Sequence, residues 1–542
     1  MTWLEGEWAV LAGATVTVLA FLLFATRRLR RYLHIFQQEE YDAPRFLGWL
    51  FRAFAFDKRL AVAIGLLALI VWSAGPVLPV LWQGALTLLF IGAFFLEPDP
   101  RKSAKKKLAM TNRAKRIYWA GMVLCAAAAA AAAFALQPLW WLAPLWAIPV
   151  LLVLGDLILW PFEQRTQRKF WHEAHAKLKK LRPSVIGITG SFGKTSVKHI
   201  LGHILSMHAR ALFTPGSVNT VMGNTRIIRE QLKPGTRYFL AEMGAYGIGS
   251  IKRLCDLTPP DIGVLTTIGE AHYERFKSLE TVAKAKFELC DAVIKKDGKM
   301  IVGDEILAQQ YAVDFMNANR DYFVICGEGE FADLKILNIE QTRDGLKVRV
   351  TWPEMFGEDE FDLFAPLYGL HHGANMALAF GAAVLAGVPA KKAIAAMASA
   401  PQIRHRLEVK PQTDGSILID DAYNSNPSGF AAALELTDKM RNGRGRRILI
   451  TPGMAELGAR HAEAHAELGL KAARYIDVAL VVRPDRIPTF VETFERRSAN
   501  GRLVKLSSFA EAEDWLKRNV KRDDVVLIEN DLPDILERKF PV

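Results

Sequence analysis

In Thr189-Gly190-Ser191-Phe192-Gly193-Lys194-Thr195-Ser196 a lysine, four hydroxyls and two glycines fall within eight residues. These are the residue types that hold a polyphosphate. Gly190 and Gly193 permit a tight turn and the close approach of backbone amides to an anion. Lys194 would reach the terminal phosphates, and the Thr195 hydroxyl would sit on Mg²⁺. The spacing departs from the common phosphate-loop pattern: Ile188 stands where its first glycine belongs, and Gly187 comes one residue early. A match this loose also arises by chance, so the flanks decide. Val185, Ile186 and Ile188 suit a buried strand, and Val197, Ile200, Leu201, Ile204 and Leu205 recur at helical spacing. A strand, a glycine loop and a helix N-terminus facing the anion make phosphate binding the better reading.

Two further strands carry candidate chemistry at their ends. Residues 238–244 read as a strand bearing Glu242 near its end; residues 261–269 read as another, followed by Glu270, Ala271 and His272. In an open α/β sheet, ligands bind beyond the carboxyl ends of the strands, which places Glu242 and His272 on the edge of the phosphate loop. Outside that context Glu242 would be a surface carboxylate and His272 a polar residue at a helix N-terminus.

From residue 184 to about 400, strands alternate with helices as in a mostly parallel sheet. Residues 401–542 continue as β/α, with short apolar strands at 447–451, 478–482, 503–506 and 525–529. Blocks of this region resemble the Mur ligases, closest to the MurF type that adds D-alanyl-D-alanine to a UDP-muramoyl tripeptide. The matching stretches are 190–196; Asn219 with Gly223; Ala241-Glu242-Met243-Gly244-Ala245; Thr267-Ile268-Gly269-Glu270-Ala271-His272; 276–286 (F-K-S-L-E-T-V-A-K-A-K); 369–375 (G-L-H-H-G-A-N); 420–427 (D-D-A-Y-N-S-N-P); and 453–458 (G-M-A-E-L-G). They run in family order from residue 184 to about 470. The resemblance implies a central ATP-binding domain over 184–400 and a Rossmann-like closing domain over 401–542 that presents the incoming amine.

It also implies roles residue by residue. Gly190, Ser191, Gly193, Lys194, Thr195 and Ser196 would bind the ATP phosphates, with Thr195 on one Mg²⁺. Glu242 and His272 would hold a second Mg²⁺ with Lys286, which matches the family's carbamoylated lysine. Lys194, His272 and Lys286 would thereby serve catalysis. Asn375 would contact adenine, His371 the phosphate side, and Arg406 and Asp421 the nucleotide from the last domain. Asn219 and Thr220, with Tyr423 and Asn424, would line the substrate cleft.

The pattern breaks at Thr220 and Thr267, where asparagine is usual, at Leu370 in place of an arginine, and at His405 in place of the glycine before Arg406. None of these removes a metal ligand or the phosphate lysine; they put the substrate in question. In the MurF type a K-G-S segment follows the last strand. Here that place reads Glu529-Asn530-Asp531-Leu532-Pro533-Asp534. Lining the cleft, it would favour an ammonium group over a second carboxylate; a solvated loop is the equal alternative.

The first 160 residues are of another kind. Charge-poor apolar runs at 8–25, 60–74, 77–96, 118–136 and 139–160 lie near the roughly 20 residues that a membrane-spanning helix needs. The stretches 27–59 and 97–117 carry eight Lys/Arg each, and the short turns between runs carry none. By the positive-inside rule both basic stretches are cytoplasmic, five spans leave the N-terminus outside, and everything after the last span lies in the cytoplasm with ATP. The first run lacks a clear small-residue cleavage site and its basic residues follow it, which argues against a signal peptide. The basic, aromatic residues 163–183 read as a juxtamembrane helix on anionic headgroups.

The net charge of +12 therefore tracks membrane boundaries rather than a nucleic-acid surface. Asp156 near the end of the last run is the one charge inside a span, which disfavours an ion path or a transporter. Cys125, Cys255, Cys290 and Cys326 show no C-x-x-C spacing, which fits a reduced compartment and offers no zinc site.

The expected architecture is an α-helical membrane domain (1–162), a basic segment (163–183) and two α/β domains (184–400 and 401–542). A MurF-type enzyme normally carries a soluble uridine-nucleotide-binding domain ahead of the loop. Only residues 163–184 separate the last span from it here, too few for a domain of about 50 residues or more. The expected protein is a bacterial inner-membrane ligase that uses ATP and two Mg²⁺ to activate the carboxylate of an envelope precursor, small or lipid-linked, as an acyl phosphate. It then adds an amino-acid or dipeptide amine. The alternatives are a true MurF-type peptidoglycan ligase, a poly-γ-glutamate-type capsule ligase and a catalytically silent membrane scaffold.

Overall fold

The computed structural model describes residues 2–39, 41–73, 79–99, 108–135, 137–269, 276, 278–357, 359–422, 426–454 and 457–529. Described residues up to Gln167 form one compact unit and those from Arg168 onward form another.

The first unit is helical. Four helices among the described residues are long and apolar enough to cross a membrane: Glu7–Gln38, Pro79–Leu96, Asn112–Phe134 and Pro138–Leu181. The apolar run at 60–74 falls in the helix Lys58–Ser73, 16 residues long, and residues 74–78 lie outside the described set. Phe21, Phe24, Phe90 and Trp141 pack at the centre of the unit, while Trp8, Leu66, Leu88, Trp119 and Leu157 are exposed. The helices are thus apolar on the outside as well as the inside.

Among the described residues, several arginines of the basic clusters are answered by acids. The first helix continues to Gln38 through Arg27, Arg28, Arg30 and Arg31. Arg28 pairs with Asp57 and with Glu97 (3.1 Å), and Arg31 with Glu97 (3.0 Å). Arg113 pairs with Asp156 (3.0 Å) and Arg116 with Glu163 (2.6 Å). Asp57, Glu97, Asp156 and Glu163 are all buried, and a buried carboxylate persists only with such partners.

The second unit holds two sheets. Nine described strands form the larger: β1 Ser184–Thr189, β2 Ala211–Phe213, β3 Tyr238–Glu242, β4 Ile262–Leu265, β5 Lys299–Gly303, β6 Phe323–Gly327, β7 Leu334–Gln341, β8 Leu346–Thr351 and β9 Glu360–Ala365. Their order is β2-β3-β1-β4-β5-β6-β7-β8-β9. Pairing is parallel as far as β7; β8 and β9 return as antiparallel neighbours. β1, β3 and β4 are buried almost throughout because helices cover both faces. Lys194–His208 and His371–Leu385 pack on one face, and Leu279–Ile294 and Ser250–Leu257 on the other. The chain passes from β1 out to the edge strand β2, comes back to β3 beside β1, and then crosses past β1 to β4. The loop after β1 therefore sits where the winding reverses, the place where open α/β sheets bind ligands.

The smaller sheet has β10 Glu408–Pro411, β11 Ile417–Asp421, β12 Arg447–Thr451, β13 Val478–Val482, β14 Arg502–Leu506 and β15 Val525–Glu529 in the order β10-β11-β15-β12-β13-β14. All neighbours are parallel except β10 with β11. β15 lies between β11 and β12, so the last described strand ends beside Asp421.

Part of the basic segment also packs on the second unit. The helix Leu142–Leu181 is continuous through the segment. Within the second unit Ala174 and Leu178 are buried in the same cluster as Ile227, Ile228 and Leu232. Arg229 stacks over the Phe170 ring at 3.8 Å and pairs with Glu173 at 2.8 Å, and Lys177 donates to the Arg229 carbonyl at 2.7 Å. Apolar positions four apart face the domain, and Lys169, Lys179 and Lys180 face out.

Candidate functional site

The glycine loop takes the shape its sequence requires. Gly190 (φ +152°) and Gly193 (φ +82°) occupy backbone regions that other residues avoid. A Cβ at Gly190 would collide with Thr266 Oγ1, and one at Gly193 with Asn375 Oδ1. The end of β4 closes over the loop: Ser191 N donates to Thr267 O (2.8 Å), Phe192 N to Thr267 Oγ1 (3.0 Å), and Gly269 N to Ser191 Oγ (2.8 Å). Thr267, a departure from the expected asparagine, thus serves the loop with its hydroxyl. Ser196 is buried in the first turn of the following helix.

Lys194 folds over the loop and donates to the Gly190 carbonyl (2.6 Å) and the Ser191 carbonyl (3.1 Å). Burial lowers its pKa to about 8, with Glu242 opposing and Arg406 adding to the shift. Thr195 Oγ1 donates to Glu242 Oε2 at 3.1 Å. Glu242 is 1% exposed at the end of β3, which rules out the surface-carboxylate reading. Lys286, on the helix Leu279–Ile294, is 4% exposed and has no hydrogen-bond partner among the described residues. Burial, and then the charge of Lys194, hold its amine well below the usual lysine range.

One cavity brings several of these groups together: Gly190, Lys194, Asn219, Tyr246, Phe276 and Lys286 line it. Asn219 accepts from the Tyr246 hydroxyl at 2.9 Å through Oδ1, and its carbonyl accepts from Gly244 N at 2.9 Å. Thr220 does different work: it caps the helix Val221–Gln231 by accepting from Gly223 N at 3.2 Å, a task for which threonine serves as asparagine does. Asn375 lies against Gly193, held by the His371 carbonyl (3.2 Å) and His372 Nδ1 (3.3 Å). His371 is exposed at the start of its helix, directly after the exposed Leu370. His272, Tyr423 and Asn424 lie outside the described residues, as do Glu270, Ala271 and the acidic stretch from Asn530 onward.

Arg406 bears on the site from the loop that leads into β10. Its charge reaches Lys194, Lys198, His372 and Asp421. The preceding His405 has φ +59°, which explains why a glycine is usual there. His405 is held instead by Asp420, at 2.9 Å from Nδ1. His405, Glu408 and Asp420 together offer three metal-ligand atoms, but Lys410 already bridges the two carboxylates at 2.8 and 3.0 Å.

Asp421 accepts from Leu407 N at 3.1 Å and shares a hydrogen bond with the buried Glu529, its neighbour across β11 and β15. Burial raises its pKa from 3.8 to about 6 against the pull of Leu407 N and Arg406. The folded chain therefore binds this proton more tightly than the unfolded chain. Stability falls as pH rises from about 4 to about 6, and the loss is complete above that. Asp421→Asn is expected to flatten the fall, as read from melting temperatures across that range. An unchanged slope would assign the titration to Glu529.

Sequence reasoning missed Lys198 and Tyr246. Lys198 is fully buried and donates to Glu242 Oε2 at 2.9 Å. The signal available was a lysine on the apolar face of a helix, four residues after Lys194.

The donor set fits ATP and Mg²⁺: two glycines with no room for side chains, a lysine over the loop, and a buried carboxylate joined to a hydroxyl. Comparison with known proteins agrees. The Mur ligase middle domain model matches residues 188–383, and the Mur ligase, glutamate ligase domain model matches residues 405–529. The UDP-N-acetylmuramoyl-tripeptide--D-alanyl-D-alanine ligase of Bacillus subtilis (strain 168) is 30% identical over 366 residues, which are 65% of this chain and 74% of that one. The enzyme of the same name from Escherichia coli (strain K12) is 30% identical over 304 residues, 55% of this chain and 64% of that one. The crystal structure of MurF ligase from Thermotoga maritima in complex with ADP superposes with a TM-score of 0.56 at 25% identity, covering 69% of this chain and 81% of that one.

Proposed function

The chain belongs to the Mur ligase family, whose members are ATP-dependent amide ligases, and from that premise we propose that it is a membrane-anchored ligase of cell-envelope precursors. The reaction is transfer of the ATP γ-phosphoryl group to a substrate carboxylate, then attack of an amine on the acyl phosphate with loss of phosphate. The observation that carries this reading is the single cavity shared by Lys194, Asn219 and Lys286, beside the pair of Thr195 and Glu242.

In this reading Lys194 and the loop amides bind the phosphates and stabilise charge on the transferring group. Thr195 and Glu242, with His272 and a carbamoylated Lys286, would hold two Mg²⁺, which neutralise the oxygens gathered there. Asn219 orients the acceptor; Tyr423 and Asn424 would join it. Asn375, His371, Arg406 and Asp421 would hold the nucleotide, so the second sheet must close on the first to complete the site and exclude water from the acyl phosphate. No side-chain nucleophile is required.

The relatives are named for a UDP-muramoyl tripeptide and D-alanyl-D-alanine. Two features favour a carboxylate substrate delivered at a bilayer. The helix Leu142–Leu181 reaches to within Arg182 and Pro183 of β1, and the first unit is apolar on its outside. We therefore place the helices in the inner membrane and the α/β unit in the cytoplasm.

The test is ADP release by the detergent-purified full chain, with D-alanyl-D-alanine or single amino acids as amines. Each amine is paired with UDP-muramoyl tripeptide or, separately, with envelope lipid extract. Turnover confined to the lipid extract is expected. Turnover with the UDP-tripeptide would instead make this a MurF-type peptidoglycan ligase with an anchor.

A further inference from the structure

A second buried lysine, Lys198, stands beside Glu242 at the centre of the site. Lys198 is one helical turn past Lys194, so the two share a helix face. It is 0% exposed, and its ammonium donates to Glu242 Oε2 at 2.9 Å and to the Gly216 carbonyl. Oε2 also accepts from Thr195, while Oε1 receives no hydrogen bond from any described residue. The carboxylate is therefore fixed through one oxygen and offers the other. Gly216 belongs to the loop after β2 that carries Asn219 and Thr220. That loop is tied to the end of β3 by main-chain amides as well: Glu242 N donates to the Thr214 hydroxyl (Oγ1) at 3.3 Å, and Gly244 N to the Asn219 carbonyl at 2.9 Å.

We propose that Lys198 is a positioning residue that holds Glu242 for the metal and ties it to the 214–220 loop, so that filling the nucleotide site orders the acceptor side. The proposal rests on the ligase reading above. Lys198 touches neither the cavity nor a reacting atom; it acts through Glu242 and through the Gly216 carbonyl. A lysine kept for packing alone would need no such partners, since an apolar side chain of its length fills the same space without the cost of burying a charge.

Lys198→Met keeps the length and removes the charge and the donors. The full chain is titrated with ADP, with and without Mg²⁺, and hydrogen exchange is followed in residues 214–220. In the unsubstituted protein Mg²⁺ is expected to tighten ADP binding, and ADP with Mg²⁺ to slow exchange in the loop. In K198M the gain from Mg²⁺ is expected to fall about tenfold or more, with metal-free ADP affinity within about twofold, as for other groups that orient a metal ligand. Loop protection should be lost with it. A folded K198M with the same Mg²⁺ gain and loop protection overturns the proposal, and so does a larger gain, which would make Lys198 a competing cation. Should K198M fail to fold, K198R decides by the same two readouts. Its planar head cannot meet both acceptors in the lysine's geometry, so equal values overturn the proposal. An unsubstituted protein that binds no ADP with Mg²⁺ overturns the ligase reading itself, and this proposal with it.

Discussion

Lys194→Ala is expected to abolish ATP-dependent turnover and leave the fold intact. The lysine's described hydrogen bonds go to the Gly190 and Ser191 carbonyls, at 2.6 and 3.1 Å, within its own loop. Those carbonyls can turn to water when the side chain is gone, so the melting temperature should move little. The loss falls on the charge that builds on the transferring phosphoryl group. Removing one well-placed donor from such a centre costs about 10²–10³ in rate, and a full positive charge stands at or above that range. Lys194→Arg should not rescue it, because a planar fork cannot replace a point charge over so tight a loop. ADP release by the purified variant, with the acceptor that the unsubstituted enzyme uses, is the measurement. Full turnover would remove the phosphate loop from the mechanism and revive the scaffold reading.

The same loop marks how much of the site the sequence makes legible. Its residue types, its flanking strand and the helix after it all point to one chemistry, and the structure adds why two of its glycines admit no substitute. Glu242 is legible as a strand-end carboxylate, but its burial depends on helices distant in sequence. Lys198 escapes because periodicity counts Val197, Ile200 and Leu201 as a core face and passes over the charged residue among them; only the placement of Glu242 across the sheet gives it a reason to be there. Departures from the family pattern acquire local causes in the same way. Thr220 is a helix cap, and His405 takes a glycine-like φ held by Asp420.

In the helical unit, counting Lys and Arg shows where the basic residues cluster. It does not show that Asp57, Glu97, Asp156 and Glu163 fold back onto them, because those pairs join residues far apart in the chain. The basic end of the helix Leu142–Leu181 shows the same limit. Its charges are plain in the sequence, whereas the use of Ala174 and Leu178 becomes visible only once the domain they pack on is in place.

Lys286→Ala is expected to cost about as much as the loss of Lys194, for a different reason. A lysine 4% exposed, without a hydrogen-bond partner among the described residues and near the Lys194 ammonium, has its pKa held well below the usual lysine range, which favours the neutral amine. A neutral amine attacks CO₂: an N–C bond forms, one proton leaves to solvent, and a carbamate anion results. That change replaces a group the site repels with one that Lys194 attracts, and it supplies the extra anionic ligand that two cations beside Glu242 would need. The turnover of Lys286→Ala should fall by about 10³ if a metal is thereby lost or misplaced. Three results would follow from the same cause. The unsubstituted enzyme should lose activity in CO₂-free buffer and regain it with bicarbonate. Labelled bicarbonate should give a carbamate carbon resonance that is missing from Lys286→Ala. Short carboxylic acids should restore part of that variant's activity by occupying the vacated space. Activity indifferent to CO₂, with no carbamate resonance, would leave Lys286 as a neutral donor to the acceptor, and the second metal would then have to be held by Glu242 and His272 without it.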